Sequence, residues 1–163
     1  MSDVKIIPAS LLIVDPKKVK PDSGSVYPKP FDEIVTGRHR HRLSSAIGLT
    51  KFGVNLVQLE PGARSSARHW HTQQDEFVFI VEGTATLVTN DGKVKLTKGM
   101  SVGFPAGNAN GHQLFNESNS IVWYLEVGDR PRSEEVIYPD IDMVNTVTEG
   151  RPHFTKKNGN RFV

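Results

Sequence analysis

The chain has 163 residues, of which 37% are hydrophobic and 23% charged, with a formal net charge of +2. This is one domain's worth of ordinary globular chain, and its near-balanced charge argues against a nucleic-acid-binding tail or a membrane-surface stripe. Cysteine is absent, which excludes disulfides and thiol chemistry and makes a reducing cytoplasm the expected setting.

Taken in order, residues 6–14 form an apolar run broken by Pro8, with no basic start and no small-residue cleavage site. They read as an opening strand and not as a signal peptide, and no stretch is long enough for a membrane-spanning helix. Pro16, Pro21, Pro28 and Pro30 then forbid a helix and predict an extended arm on the surface. Residues 31–35 read as an edge strand ended by Gly37. Residues 50–59 alternate as a strand and stop at Glu60-Pro61-Gly62, a turn signal.

Beyond this point the pattern is β throughout. Residues 76–81 present Glu76, Val78 and Ile80 on one face and Phe77, Phe79 and Val81 on the other. Both faces are apolar apart from Glu76, so both require cover: one from a barrel interior, the other from a second sheet, the arm or another subunit. A homodimer is therefore expected. Residues 84–89 and 93–98 flank Asn90-Asp91-Gly92, a hairpin signal. Residues 112–115 and 121–127 are expected to pair around 116–119. Residues 133–147 could carry a helical turn, interrupted at Tyr138-Pro139-Asp140, and a polar tail follows from 148. Short strands separated by turns at this spacing define an all-β sandwich or barrel. The expected divisions of this single domain are an arm with edge strands (1–45), the barrel (46–130) and an extension packed on it (131–163).

The chemistry concentrates in the histidines. His69 and His71 stand at i and i+2 and so project from one strand face. Glu76 follows after a turn, and His112 comes from a different hairpin. Imidazoles with one carboxylate suit a divalent ion, Fe, Mn, Ni, Co or Zn, and leave positions open for substrate or water. A second pair, His39 and His41, is interleaved with Arg38, Arg40 and Arg42, whose charge repels a cation; it reads as a solvated strand face able to meet an anion. His153 reads as exposed. Glu82 shares the facing of Glu76, which makes it a candidate proton carrier against the plainer reading of a solvated strand end.

Gly62, His69, His71, Glu76 and Gly83, followed by Gly99, Pro105, Gly107, His112 and Asn116, resemble the two conserved motifs of the cupin superfamily. The family pattern is G-x5-H-x-H-x3,4-E-x6-G and G-x5-P-x-G-x2-H-x3-N. Here six residues separate Gly62 from His69 and four separate Gly107 from His112, so two turns are longer than the pattern. The resemblance extends to small single-domain bacterial cupins of the sugar-phosphate-isomerase-like group. It implies a double-stranded β-helix or jelly-roll barrel, with His69, His71, Glu76 and His112 as metal ligands; the candidates for catalysis are Glu76 and, by its facing alone, Glu82.

Three functions fit this reading. The first is a metal-dependent isomerase of a small oxygen-rich molecule such as a sugar or sugar phosphate, with Arg64, Arg68 and Lys51 as candidate cations for a phosphate. If Arg68 alternates with His69, it points away from the metal. The second is an Fe(II) dioxygenase with a pocket lined by Val78, Ile80, Leu114 and Trp123. The third is a non-catalytic metabolite-binding or sensor module. A small-molecule ligand, without nucleic acid or membrane, is common to all three.

Overall fold

The computed structural model describes residues 12–162. Among them run twelve strands: β1 (Arg38–Arg42), β2 (Phe52–Leu59), β3 (Trp70–His71), β4 (Glu76–Glu82), β5 (Thr84–Thr89), β6 (Gly92–Thr97), β7 (Ser101–Phe104), β8 (Gln113–Phe115), β9 (Val122–Asp129), β10 (Ser133–Tyr138), β11 (Met143–Thr148) and β12 (Arg151–Thr155). Five of them make one antiparallel wall in the order β1-β2-β9-β4-β7. The opposite wall consists of β12-β11-β10-β3 and β6-β5-β8, joined by single bridges between His69 and His112 and between Arg64 and Phe115.

Period-two alternation decides what lies between the walls. From the five-stranded wall Val57, Leu59, Val78, Ile80, Val122 and Tyr124 point inward and are buried, meeting Ala85, Leu87 and Leu114 from the other side. A second cluster, Ala67, Val136, Tyr138 and Met143, is covered by Tyr27, Phe31 and Ile34 of the arm. The arm is thus part of the barrel's closure.

The outer face of the five-stranded wall is apolar as well. Val54, Val127 and Phe77 form one cross-strand row and Leu56, Leu125 and Phe79 another, with Phe77 43% and Phe79 36% exposed.

Several local expectations change. Most of the strand expected at 6–14 lies outside the described residues, and residues 12–14 are not in a strand. Phe31–Val35 is a 3-10 helix, because its apolar residues pack on the second cluster from one side instead of pairing at an edge. Residues 112–115 and 121–127 do not pair with each other: β8 pairs β5, whereas β9 lies between β2 and β4. The helical turn and polar tail expected beyond 133 are three antiparallel strands, β10 to β12. Glu134, Val136 and Tyr138 alternate inward along β10, and the buried carboxylate hides that pattern from a hydrophobic reading. The β11–β12 turn uses Glu149 at φ 50 and Gly150 at φ 75, a backbone that ordinarily selects Asn-Gly or Asp-Gly.

Candidate metal centre

His69 and His71 enter the barrel on either side of Trp70, the bridge at His69 and the short strand β3 fixing their alternation. Glu76 starts β4 on the facing wall, and His112 lies opposite His69 just before β8. The Nε2 atoms of His69 and His71 are 3.1 Å apart. Glu76 Oε2 lies 3.5 Å from His71 Nε2, 3.8 Å from His69 Nε2 and 2.9 Å from His112 Nε2. Donors held about 2.0–2.1 Å from one ion stand roughly 3–3.5 Å from one another, so the set fits a divalent cation. His69, His71 and Glu76 each offer a ligand atom within 4.8 Å of the other two, and His112 joins them through Glu76.

The outward ring nitrogens of His69 and His71 are anchored. His69 Nδ1 donates to the carbonyl of Ala67 at 2.9 Å. His71 Nδ1 faces both oxygens of the buried Glu134, at 3.1 and 3.2 Å. A carboxylate behind a ligating imidazole sets its tautomer and raises its basicity. The His112 ring stacks on Phe104 with centroids 3.6 Å apart. Burial holds His69 down at about 3, so its ring is neutral. Burial opposes charge on His71 too, but hydrogen bonds to Glu134 and Glu76 outweigh it and raise that ring to about 10. Burial likewise works against the Glu76 carboxylate, and its bonds to His112 and His71 prevail and hold it well below the usual range.

These residues line a cavity of about 400 Å³ between the walls. Three of its other polar residues are ones the sequence reading placed elsewhere. β1 turns Arg38, Arg40 and Arg42 to the cavity, and Arg38 is buried, in contrast to the solvated face expected there. The intervening histidines point outward, His39 to Ser23 and Glu60 and His41 to the Val19 carbonyl. Asn55, Tyr124, Glu126 and Glu134 also line it. For Arg38, Arg40, Arg42 and Glu134 the available signal was position: each alternates with residues that face away.

Other candidates fall outside the centre. Glu82 is exposed, because the β4–β9 register shifts between Ile80 and Glu82 and ends the shared facing with Glu76. Arg68 pairs with Asp140 outside the barrel, as its alternation with His69 predicts, Arg64 stacks on Phe115, and Lys51 is exposed. Of the apolar pocket residues, Val78 and Leu114 line the cavity, Ile80 is in the core, and Trp123 packs against His41. His153 is exposed.

Fold and cluster together define a double-walled β-barrel protein with a candidate metal centre between its walls. Residues 55–128 match the cupin domain family. The structure resembles that of a cupin-superfamily sugar phosphate isomerase from Silicibacter pomeroyi, with 41% identity, a TM-score of 0.89, and 93% of this chain and 96% of that one covered. The chain belongs to the cupin superfamily. A protein provisionally named a sugar phosphate isomerase, from Acidithiobacillus ferrooxidans, is 24% identical with a TM-score of 0.77, covering 93% of this chain and 96% of that one. The polyketide cyclase RemF from Streptomyces resistomycificus shares the fold at 17% identity and a TM-score of 0.63, over 80% of this chain and 87% of that one. No curated protein matches the chain in sequence. Among the described residues no helix is long and apolar enough to cross a membrane.

Proposed function

We propose that this cupin is a metal-dependent isomerase of a sugar or sugar phosphate, holding one divalent ion with His69, His71, Glu76 and His112. The observation that carries this reading is the convergence of these four side chains in a cavity that also holds a carboxylate not bonded to a histidine. Glu76 and Glu134 are committed to the imidazoles, whereas Glu126 accepts one bond from Asn55 at 2.9 Å and lines the same space. Fe, Mn, Ni, Co and Zn all suit such donors, and the ion would polarise a carbonyl or hydroxyl. Glu126 moves the proton between adjacent carbons, and the Tyr124 hydroxyl, kept neutral by burial, donates to substrate oxygen. The similarity to the Silicibacter protein supports this chemistry, and the arginines and carboxylates in the mixed lining favour it over an apolar dioxygen pocket.

The test is to load the protein separately with each of the five metals and incubate it in D2O with aldose and ketose phosphates and the free sugars. Isomerisation with deuterium appearing beside the carbonyl is expected, and Glu126→Gln should lose it while keeping its metal. No exchange with any loaded form across that panel would overturn the reading. The protein acts in the cytoplasm as a homodimer, its subunits meeting through the apolar outer face around Phe77 and Phe79.

A further inference from the structure

Among the described residues, the buried side-chain nitrogen and oxygen atoms without a hydrogen-bond partner are Arg38 Nε, Arg40 Nε, His112 Nδ1 and Tyr124 OH. All four residues line the one cavity. Buried polar groups are otherwise nearly always paired, so orphans gathered in one space point to an occupant. Two of the four are guanidinium nitrogens, donors that accept nothing.

The charges divide the cavity. At one end Glu76 and Glu134 are bonded to the histidines. The remaining lining carries four guanidiniums, Arg38, Arg40, Arg42 and Arg130, against two carboxylates, Asp22 and Glu126. Asp22 is bound to Arg42 at 2.6 Å. Arg38 is satisfied only by the carbonyls of Ser65 and Gly24, and Arg130 by the Leu49 carbonyl and the hydroxyls of Ser44 and Ser45. Arg40 Nε stands 3.7 Å from Glu126, an ion pair without a hydrogen bond. Two positive charges therefore remain in excess.

Strand order places this excess. Arg40 pairs in register with Val57, Val57 with Tyr124 and Tyr124 with Ile80, across β1, β2, β9 and β4. Glu76 is on β4 four residues before Ile80, so the Arg40 and Glu76 backbones are offset by three strand spacings across the sheet, about 14 Å, and by four residues along it, about 13 Å, a gap that side chains from both sides narrow.

The geometry points to a second subsite, a cradle for a phosphate monoester dianion built around Arg40 and Arg38, on the β1 side of the cavity and across the sheet from Glu76. This deepens the isomerase reading and rests on it only for the identity of the other end of the ligand: a molecule with vicinal oxygens at the metal and a phosphate at the arginines. A dianion matches the net excess of two positive charges among the four arginines, and its oxygens take the forked donors that a carboxylate would leave half used.

The test uses metal-free, chelator-treated protein titrated with inorganic phosphate and, separately, acetate, followed by calorimetry and phosphorus NMR. Phosphate is expected to bind, weakening with added salt, and acetate to bind roughly tenfold more weakly or worse. Arg40→Gln should lose at least about tenfold in phosphate affinity. Arg40→Lys, which keeps the charge in the folded wall, should fall between the two. No phosphate binding up to about 10 mM, equal affinity in the wild type and Arg40→Lys, or acetate binding as tightly as phosphate would overturn the subsite. Turnover of neutral sugars by a protein that ignores phosphate would remove this inference alone. Arginine-dependent phosphate binding without any turnover would remove the isomerase reading alone.

Discussion

His69 and His112 form an antiparallel bridge in which each backbone N–H donates to the other's carbonyl, at 2.8 Å from His112 and 3.1 Å from His69. The bridge is also where the two halves of the second wall meet, so the backbone pairing that closes the barrel sets two imidazoles side by side. Their ring centroids are 4.9 Å apart. The centre is thereby preorganised by main-chain hydrogen bonds and needs no loop to fold over it.

Glu134 should tune metal affinity without touching the ion. Glu134→Gln keeps the shape but weakens the bond to His71 Nδ1, and a fall of about 10–100-fold in affinity is expected. His69→Ala and Glu76→Ala should each take the metal content from about one ion per chain towards none, measured by elemental analysis after dialysis. Full occupancy in either alanine variant at equal affinity would refute the ligand set.

Metal-free protein should be most stable near pH 6.5 and weaken on both sides. His71 is raised to about 10, so the folded state holds a proton the unfolded chain lacks between roughly 6.5 and 10. Its stabilisation is complete below 6.5 and is lost as pH rises through 10. His69 is held near 3, so below 6.5 the unfolded chain binds the extra proton and stability falls with pH. Glu76, whose folded value is depressed, adds to the loss on the acid side. Urea denaturation of chelator-treated protein from pH 5 to 10 measures this, and a midpoint rising steadily from pH 7 to 10 would contradict it. Metal displaces the His71 proton, so loading should release protons and flatten the alkaline decline.

Asn116 is fully buried and clamps its loop. Its Nδ2 donates to the carbonyls of Leu59 and Ser120 at 2.9 and 2.8 Å, and its Oδ1 accepts from the N–H and hydroxyl of Ser118 at 3.0 and 2.7 Å. Asn116→Ala leaves buried partners unpaired and should cost about 2–4 kcal/mol. Chemical denaturation checks it, and a loss under about 0.5 kcal/mol would be the contrary result.

Gly83 stands at φ 84, and a Cβ there would lie 2.9 Å from the Ile121 carbonyl oxygen. Gly83→Ala should therefore destabilise by about 1–3 kcal/mol, through both the left-handed backbone and the clash. Gly62, also at positive φ (80) but with open space around it, should tolerate Ala at lower cost. Equal losses at the two sites would show that contact contributes nothing.

If the protein pairs through this face as proposed, Phe77→Glu together with Phe79→Glu should give a monomer in sedimentation, because both side chains sit on the exposed apolar face. A monomeric wild type at micromolar concentration would refute the dimer.

The β-barrel and the grouping of His69, His71 and Glu76 were legible in local pattern. Alternation and turn residues are local properties, and two histidines at i and i+2 followed by Glu76 carry their facing with them. Period also carried the warning that Arg68 turns away from His69. Which strands become neighbours was not legible in that way, because pairing depends on contacts between residues far apart in the chain. Nothing local says that β9 inserts between β2 and β4, or that β10 lies against β3 and brings Glu134 behind His71. The face that β1 turns inward was likewise undecided, since Arg-His-Arg-His-Arg is polar on both sides and has no hydrophobic preference to break the tie. Its pairing with β2 sends the arginines into the cavity and the histidines out. A charged strand reveals its interior face only when the sheet that contains it is assembled.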